Sequence, residues 1–75
     1  MTQDVEITGQ TIRLGQLLKL AGVIDSGSEA KVLLAEQTVL VNDEPEARRG
    51  RQLHPGDRVR LVGHDLRVSA SHSPQ

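Results

Sequence analysis

The spacing of apolar residues changes twice along this chain. Over residues 4–8, DVEIT alternates polar and apolar positions and predicts a short strand that breaks at Gly9-Gln10. From Leu14 the repeat lengthens. Leu14, Leu17, Leu18 and Ala21 fall at i, i+3, i+4 and i+7, one stripe of a helix about two turns long. Gly22 follows, where a helix stop in the left-handed conformation favours glycine. In DSGSEAKVLLAEQ, Ser26 and Glu29 have the spacing of a capping box, so a second helix should begin after Ser26. Its inward stripe is Ala30, Leu33 and Leu34, with Lys31 and Glu36 facing outward.

Beyond this point the period returns to two. TVLVND reads as a strand leading into a hairpin turn at Asn42-Asp43, because Asn tolerates the positive φ of such turns. EPEAR reads as the returning strand, held to a sheet edge by Pro45. His54-Pro55-Gly56-Asp57 carries the proline and glycine of a type II turn. RVRLV and DLRVS then alternate on either side of a turn at Gly63-His64. The order predicts a small α+β domain over residues 1–70, with two short helices packed on one face of a small, mostly antiparallel sheet. The polar tail at 71–75 is predicted to be disordered.

Composition narrows what such a domain can do. With 75 residues and no aromatic residue or cysteine, the core must be aliphatic, without disulfides or thiolate metal sites. The lack of aromatics also removes the platforms on which unpaired bases stack. No apolar run approaches the length of about 20 residues needed for a membrane span. The polar, acidic start MTQDVEITGQ does not have the form of a signal peptide. A cytoplasmic location and no membrane partner are therefore expected.

The formal net charge is only −1, yet residues 48–60 alone carry +4, from Arg48, Arg49, Arg51, Arg58 and Arg60 against Asp57. Such a local patch selects partners even when the total charge is near zero. Arginine suits phosphate because its planar fork offers two parallel hydrogen bonds. Gly50, among the arginines, lets a backbone approach closely, and Gly27 and Ser28 open a helix whose first amides favour an anion.

The stretch LGQLLKLAGVIDSGSEAKVLLAEQTVLVNDEPEARRGRQLHPGDRVRL resembles the S-four domain, a small RNA-binding module, and is most similar to its stand-alone bacterial members. The likeness spans about residues 12–62. It rests on the leucine helix, the SGSEAK helix start, and VLVN followed by an arginine loop and HPGD. The resemblance implies the alpha-L RNA-binding motif and two faces docked on structured RNA, ribosomal or transfer. One face would be Ser26, Gly27, Ser28 and Lys31. The other would be Asn42, Arg48, Arg49 and Arg51, with Arg13 a further basic contact before the first helix. Three positions depart from the family pattern. Gly27 stands where many relatives have arginine, and Gln37 and Asp43 stand where relatives usually have glycine. Asp43 is expected to weaken phosphate binding.

Each of these residues also has a plain structural reading. Ser26 suits a helix cap, Asn42 a turn and Lys31 a solvated helix face. Arg58 and Arg60 suit the outward side of an alternating strand. His54, His64 and His72 lack metal-site spacing, and no nucleophile-base pair or phosphate loop is present, so neither catalysis nor a cofactor is expected. The sequence leaves two alternatives to RNA binding open. One is a protein-interaction module, ribosome-associated through a ribosomal protein, and the other is an accessory to an RNA-modifying enzyme. A monomer is expected, since Pro45 and flanking charges blunt the strand edge.

Overall fold

The computed structural model of the chain describes residues 2–70. In order, its elements are β1 (Gln3–Ile7), β2 (Ile12–Arg13), α1 (Leu14–Leu20), α2 (Gly27–Glu36), β3 (Leu40–Val41), β4 (Glu44–Pro45), β5 (Gln52–Leu53), β6 (Arg58–Leu61) and β7 (His64–Ala70). The tail expected to be disordered, 71–75, lies outside the described residues.

Five strands form one sheet in the order β1-β7-β6-β3-β4. Three of its pairings are antiparallel, as expected, while β1 lies parallel to β7, with Gln3 opposite Leu66 and Ile7 opposite Ala70. The parallel edge was not predicted. Alternation identifies a strand but not its partner. β4 holds the opposite edge, where Pro45 leaves no ladder donor missing. A separate antiparallel pair joins β2 to β5, Ile12 opposite Leu53 and Arg13 opposite Gln52. These two-residue strands are too short to carry any periodicity.

The core is aliphatic throughout. Leu14, Leu17 and Leu18 of α1 and Ala30 and Leu34 of α2 meet Val41, Val59, Leu66 and Val68 of the sheet, with Leu53 among them. No polar residue is buried among the described residues. Each fully buried leucine or valine contributes about 1.5–3 kcal/mol relative to exposure.

The local signals resolve unevenly. α1 ends as expected. Gly22, at φ +80°, donates its amide to the Lys19 carbonyl, and Val23 donates to the Leu18 carbonyl, which together form a Schellman motif. Asn42 and Asp43 both take positive φ, 51° and 69°, so the hairpin turn is of type I′. Gly56 has φ +98° and the Asp57 amide donates to the His54 carbonyl, closing the predicted turn. The last hairpin turns at Val62-Gly63, one residue earlier than expected, and His64 already belongs to β7.

The capping box requires correction. Ser26 is the N-cap of α2, but its hydroxyl bonds the Ser28 hydroxyl at 3.1 Å and caps no amide. Glu29 reaches back to the Asp25 amide, at 3.4 Å, rather than to that of Ser26. The Glu29 amide bonds the Ser26 carbonyl instead, so a main-chain turn performs the closure expected of the side chain. At the other end, Gln37 is extended, φ −126° and ψ 149°. Lacking glycine there, α2 stops without a left-handed residue and runs on towards the buried Val39.

Candidate functional site

The arginine loop connects β4 to β5, and its shape comes from main-chain contacts with α1. No side chain caps α1. Its Leu14 amide donates to the Arg51 carbonyl and its Gly15 amide to the Arg49 carbonyl, each at 2.9 Å. Loop carbonyls therefore occupy the orphan donors that a helix start leaves open. The approach is close at Gly15. A Cβ placed there would lie 3.4 Å from the Arg49 Cβ and 3.4 Å from the Ala30 Cβ. The β2–β5 pair holds the two ends of this junction, because β2 leads directly into α1 and β5 directly follows the loop.

Within the loop, Glu46 organises two of the three arginines. Its carboxylate accepts from Arg48 Nε at 3.2 Å, Arg48 Nη2 at 3.3 Å and Arg51 Nη1 at 2.8 Å, and from the amides of Ala47 and Arg48. Only 8% of the Glu46 side chain is exposed. Hydrogen bonds from Arg48 and then Arg51 hold its pKa down at about 2, against the opposing effect of burial. The same bonds raise the pKa of Arg48. Arg49 has no ion pair or side-chain hydrogen bond among the described residues, and it is exposed.

The fold gathers most of the sequence candidates around Arg49. One groove is lined by Arg13, Gly15, Gln16, Lys19, Gly27, Arg49 and Gly50. Arg49 also borders a second hollow with Lys31. Gly50 continues into a third with Arg48, Arg51, Gln52, His54 and Asp57. Ser26 and Ser28, bonded to each other, flank Gly27 at the start of α2. Arg13, Gly27, Lys31, Arg48, Arg49 and Arg51 thus lie along one run of surface hollows.

Asn42 stands apart from this set. Its Nδ2 donates to Asp57 Oδ1 at 3.1 Å, and its Oδ1 accepts the Arg58 amide at 3.0 Å. Both ends of the side chain bind the protein itself, tying the β3–β4 turn to the HPGD turn. Burial raises the Asp57 pKa, but hydrogen bonds from the His54 amide and Asn42 outweigh it, and the net shift is downward.

The other arginines are matched by acids. Arg58 pairs with Asp65 at 3.1 Å, Arg60 with Asp43 at 3.3 Å and Arg67 with Asp4 at 2.9 Å. The arginines of the sheet are thus paired with acids, while Arg13, Lys19 and Arg49 beside α1 have no ion pair among the described residues. Lys19 is the one groove cation that no sequence motif singles out. Its signal was available: Gly15, Gln16 and Lys19 share the polar side of α1, three and four residues apart, opposite the leucine stripe. Among the described residues no cluster of three or more potential metal ligands occurs, and no helix is long and apolar enough to cross a membrane.

This α+β frame, with its basic helix-loop junction, belongs to a known class. A family model described as S4 domain matches residues 5–69, and the chain is a member of that family. Among curated proteins it is 54% identical over 63 residues to the "Probable ribosome maturation protein RlbA" of Bacillus subtilis strain 168, covering 84% of this chain and 89% of that one. It is 37% identical over 59 residues to the "Putative RNA-binding protein YbcJ" of Escherichia coli K12, covering 79% of this chain and 84% of that one.

Proposed function

We propose that this chain is a non-catalytic module of the bacterial cytoplasm that binds structured RNA, with ribosomal RNA as its target and ribosome maturation as its setting. The observation that carries this reading is the partition of charge. Arg13 and Arg49 are exposed and unpaired among the described residues and line one groove at the α1–loop junction, with Lys31, also exposed and unpaired, beside Arg49 in an adjoining hollow, whereas Arg58, Arg60 and Arg67 are paired with acids on the sheet. The similarity to RlbA supports the ribosomal setting, and the similarity to YbcJ supports RNA as ligand.

In this reading Arg13 and Arg49 hold backbone phosphates. Lys31, with Ser26, Gly27 and Ser28, forms the flanking face at the start of α2. Arg48 presents the part of its guanidinium that Glu46 leaves open. Arg51 acts behind it in shaping the loop, and Asn42 ties the β3–β4 turn to the HPGD turn. With no aromatic residue to stack bases, recognition falls to helix or junction shape, read through phosphates and 2′-hydroxyls. A single domain over residues 1–70 acts as a monomer.

The test is binding of the purified chain to bacterial ribosomal RNA across a salt series. Each phosphate contact contributes roughly 0.7–0.9 to the slope of log affinity against log salt. Changing Arg13 and Arg49 together to alanine should flatten that slope by about 1.4–1.8. Absence of binding by the native chain would overturn the reading. A protein partner that survives nuclease treatment would replace it with the protein-interaction alternative.

A further inference from the structure

We propose that the groove between α1, the start of α2 and the turn at Arg49-Gly50 is a seat for a single phosphodiester of the bound RNA, and that Lys19 is one of its binding residues. This rests on the RNA-binding reading and assigns its most specific contact.

Three cations line this groove, and they come from three places: Arg13 at the N-cap of α1, Lys19 in the last turn of α1, and Arg49 in the loop. No acid lines it. None of the three cations has an ion pair or a side-chain hydrogen bond among the described residues. The remaining lining is Gln16, an amide donor, and the glycines Gly15, Gly27 and Gly50, which send no side chain into the space. A concave site with unpaired cations, one neutral donor and a glycine floor suits a compact, singly charged oxyanion.

The groove is furnished unevenly. α1 and the loop supply cations, whereas α2 supplies only Gly27. A Cβ at Gly27 would meet nothing within 4 Å, and Gly27 does not have positive φ, so the position accepts a side chain without strain. Lys19 provides from the α1 wall the charge that the α2 wall omits. A cation grown from residue 27 should therefore stand in for one removed from residue 19.

The experiment measures affinity for purified bacterial ribosomal RNA between about 50 and 200 mM salt. Four chains are compared: native, Lys19→Ala, Lys19→Ala with Gly27→Arg, and Lys19→Ala with Val62→Arg. Val62 is 82% exposed on the β6–β7 turn, outside the groove, so the last chain restores total charge at the wrong place. Lys19→Ala should lose affinity by roughly fivefold at low salt and flatten the slope by about 0.7–0.9. Gly27→Arg should restore both and Val62→Arg neither. Thermal melts of all four chains should coincide within a few degrees, which separates loss of contact from loss of fold. If native binds and Lys19→Ala binds equally, or if both arginines rescue equally, the phosphate seat is refuted while RNA binding stands. If native itself does not bind, the underlying reading fails instead.

Discussion

Arg51 Nη1 lies 2.8 Å from Glu46 Oε1, and that bond divides the arginine loop into cations that shape it and a cation that projects from it. Because Glu46 is also held by Arg48, its folded pKa is about 2, below its ordinary value of 4.5. A depressed carboxylate stabilises the fold above its unfolded pKa and loses that contribution as pH falls through the folded one. Stability should therefore decline from about pH 4.5 towards pH 2. Urea unfolding of native and Glu46→Gln chains across this range should show their difference largest near neutrality and shrinking towards pH 2. A constant difference would mean that Glu46 is not linked to folding.

Arg49 and Arg51 should separate by phenotype. Arg51→Ala leaves a mostly covered carboxylate with one arginine fewer, at a cost of about 1–1.5 kcal/mol, at or below the lower end for charged hydrogen bonds because Arg51 is itself partly exposed. Arg49→Ala removes no bond of its side chain and should change stability by no more than about 0.5 kcal/mol. RNA affinity should rank the other way, with Arg49→Ala the more damaging per folded molecule. Denaturant melts and salt-series binding on the same two proteins check both orders.

Asn42 should act on folding rather than on RNA. Alanine there loses the bonds to Asp57 and to the Arg58 amide and places a Cβ-bearing residue without a compensating polar group at φ 51°. The combined cost is about 2–3 kcal/mol. Asn42→Gly relieves only the backbone part and should be about 1 kcal/mol less harmful. The comparison is read from chemical denaturation, with RNA affinity of the folded fraction unchanged in both.

Gly22→Ala should destabilise by about 1 kcal/mol, because φ +80° sits in the left-handed region. For a domain of this size that is a fall in melting temperature of roughly 4–8 °C. RNA binding at 20 °C should be unaffected.

What the sequence made legible was whatever depends on nearby residues. The leucine stripe from Leu14 to Ala21, the stop at Gly22, the left-handed pair Asn42-Asp43 and the HPGD turn each carry their cause within a few positions. The partnership of Ile12 with Leu53 does not, since two residues have no period and their pairing is set by the folded chain. Nor does the adoption of β1 by β7. At the site, sequence located the arginines but could not sort them. Glu46 stands two residues before Arg48 and five before Arg51, and only the turn of the loop brings one carboxylate against both. No motif marks Lys19, which joins the groove only because α2 and the loop close beside it. Ser26 and Glu29 show the converse, since a correct motif spacing was satisfied by different atoms.

β1 lies beside β7 with residues 8–63 between them, so the first of the described strands pairs with the last. At roughly 5–20 residues per second, Val5 and Ile7 wait several seconds as an uncovered apolar pair before their neighbour strand exists. The helices, the β3–β4 hairpin and the basic junction are all synthesised within that interval. Seating of β1, like completion of the core on Leu66 and Val68, must therefore wait until β7 is free to pair.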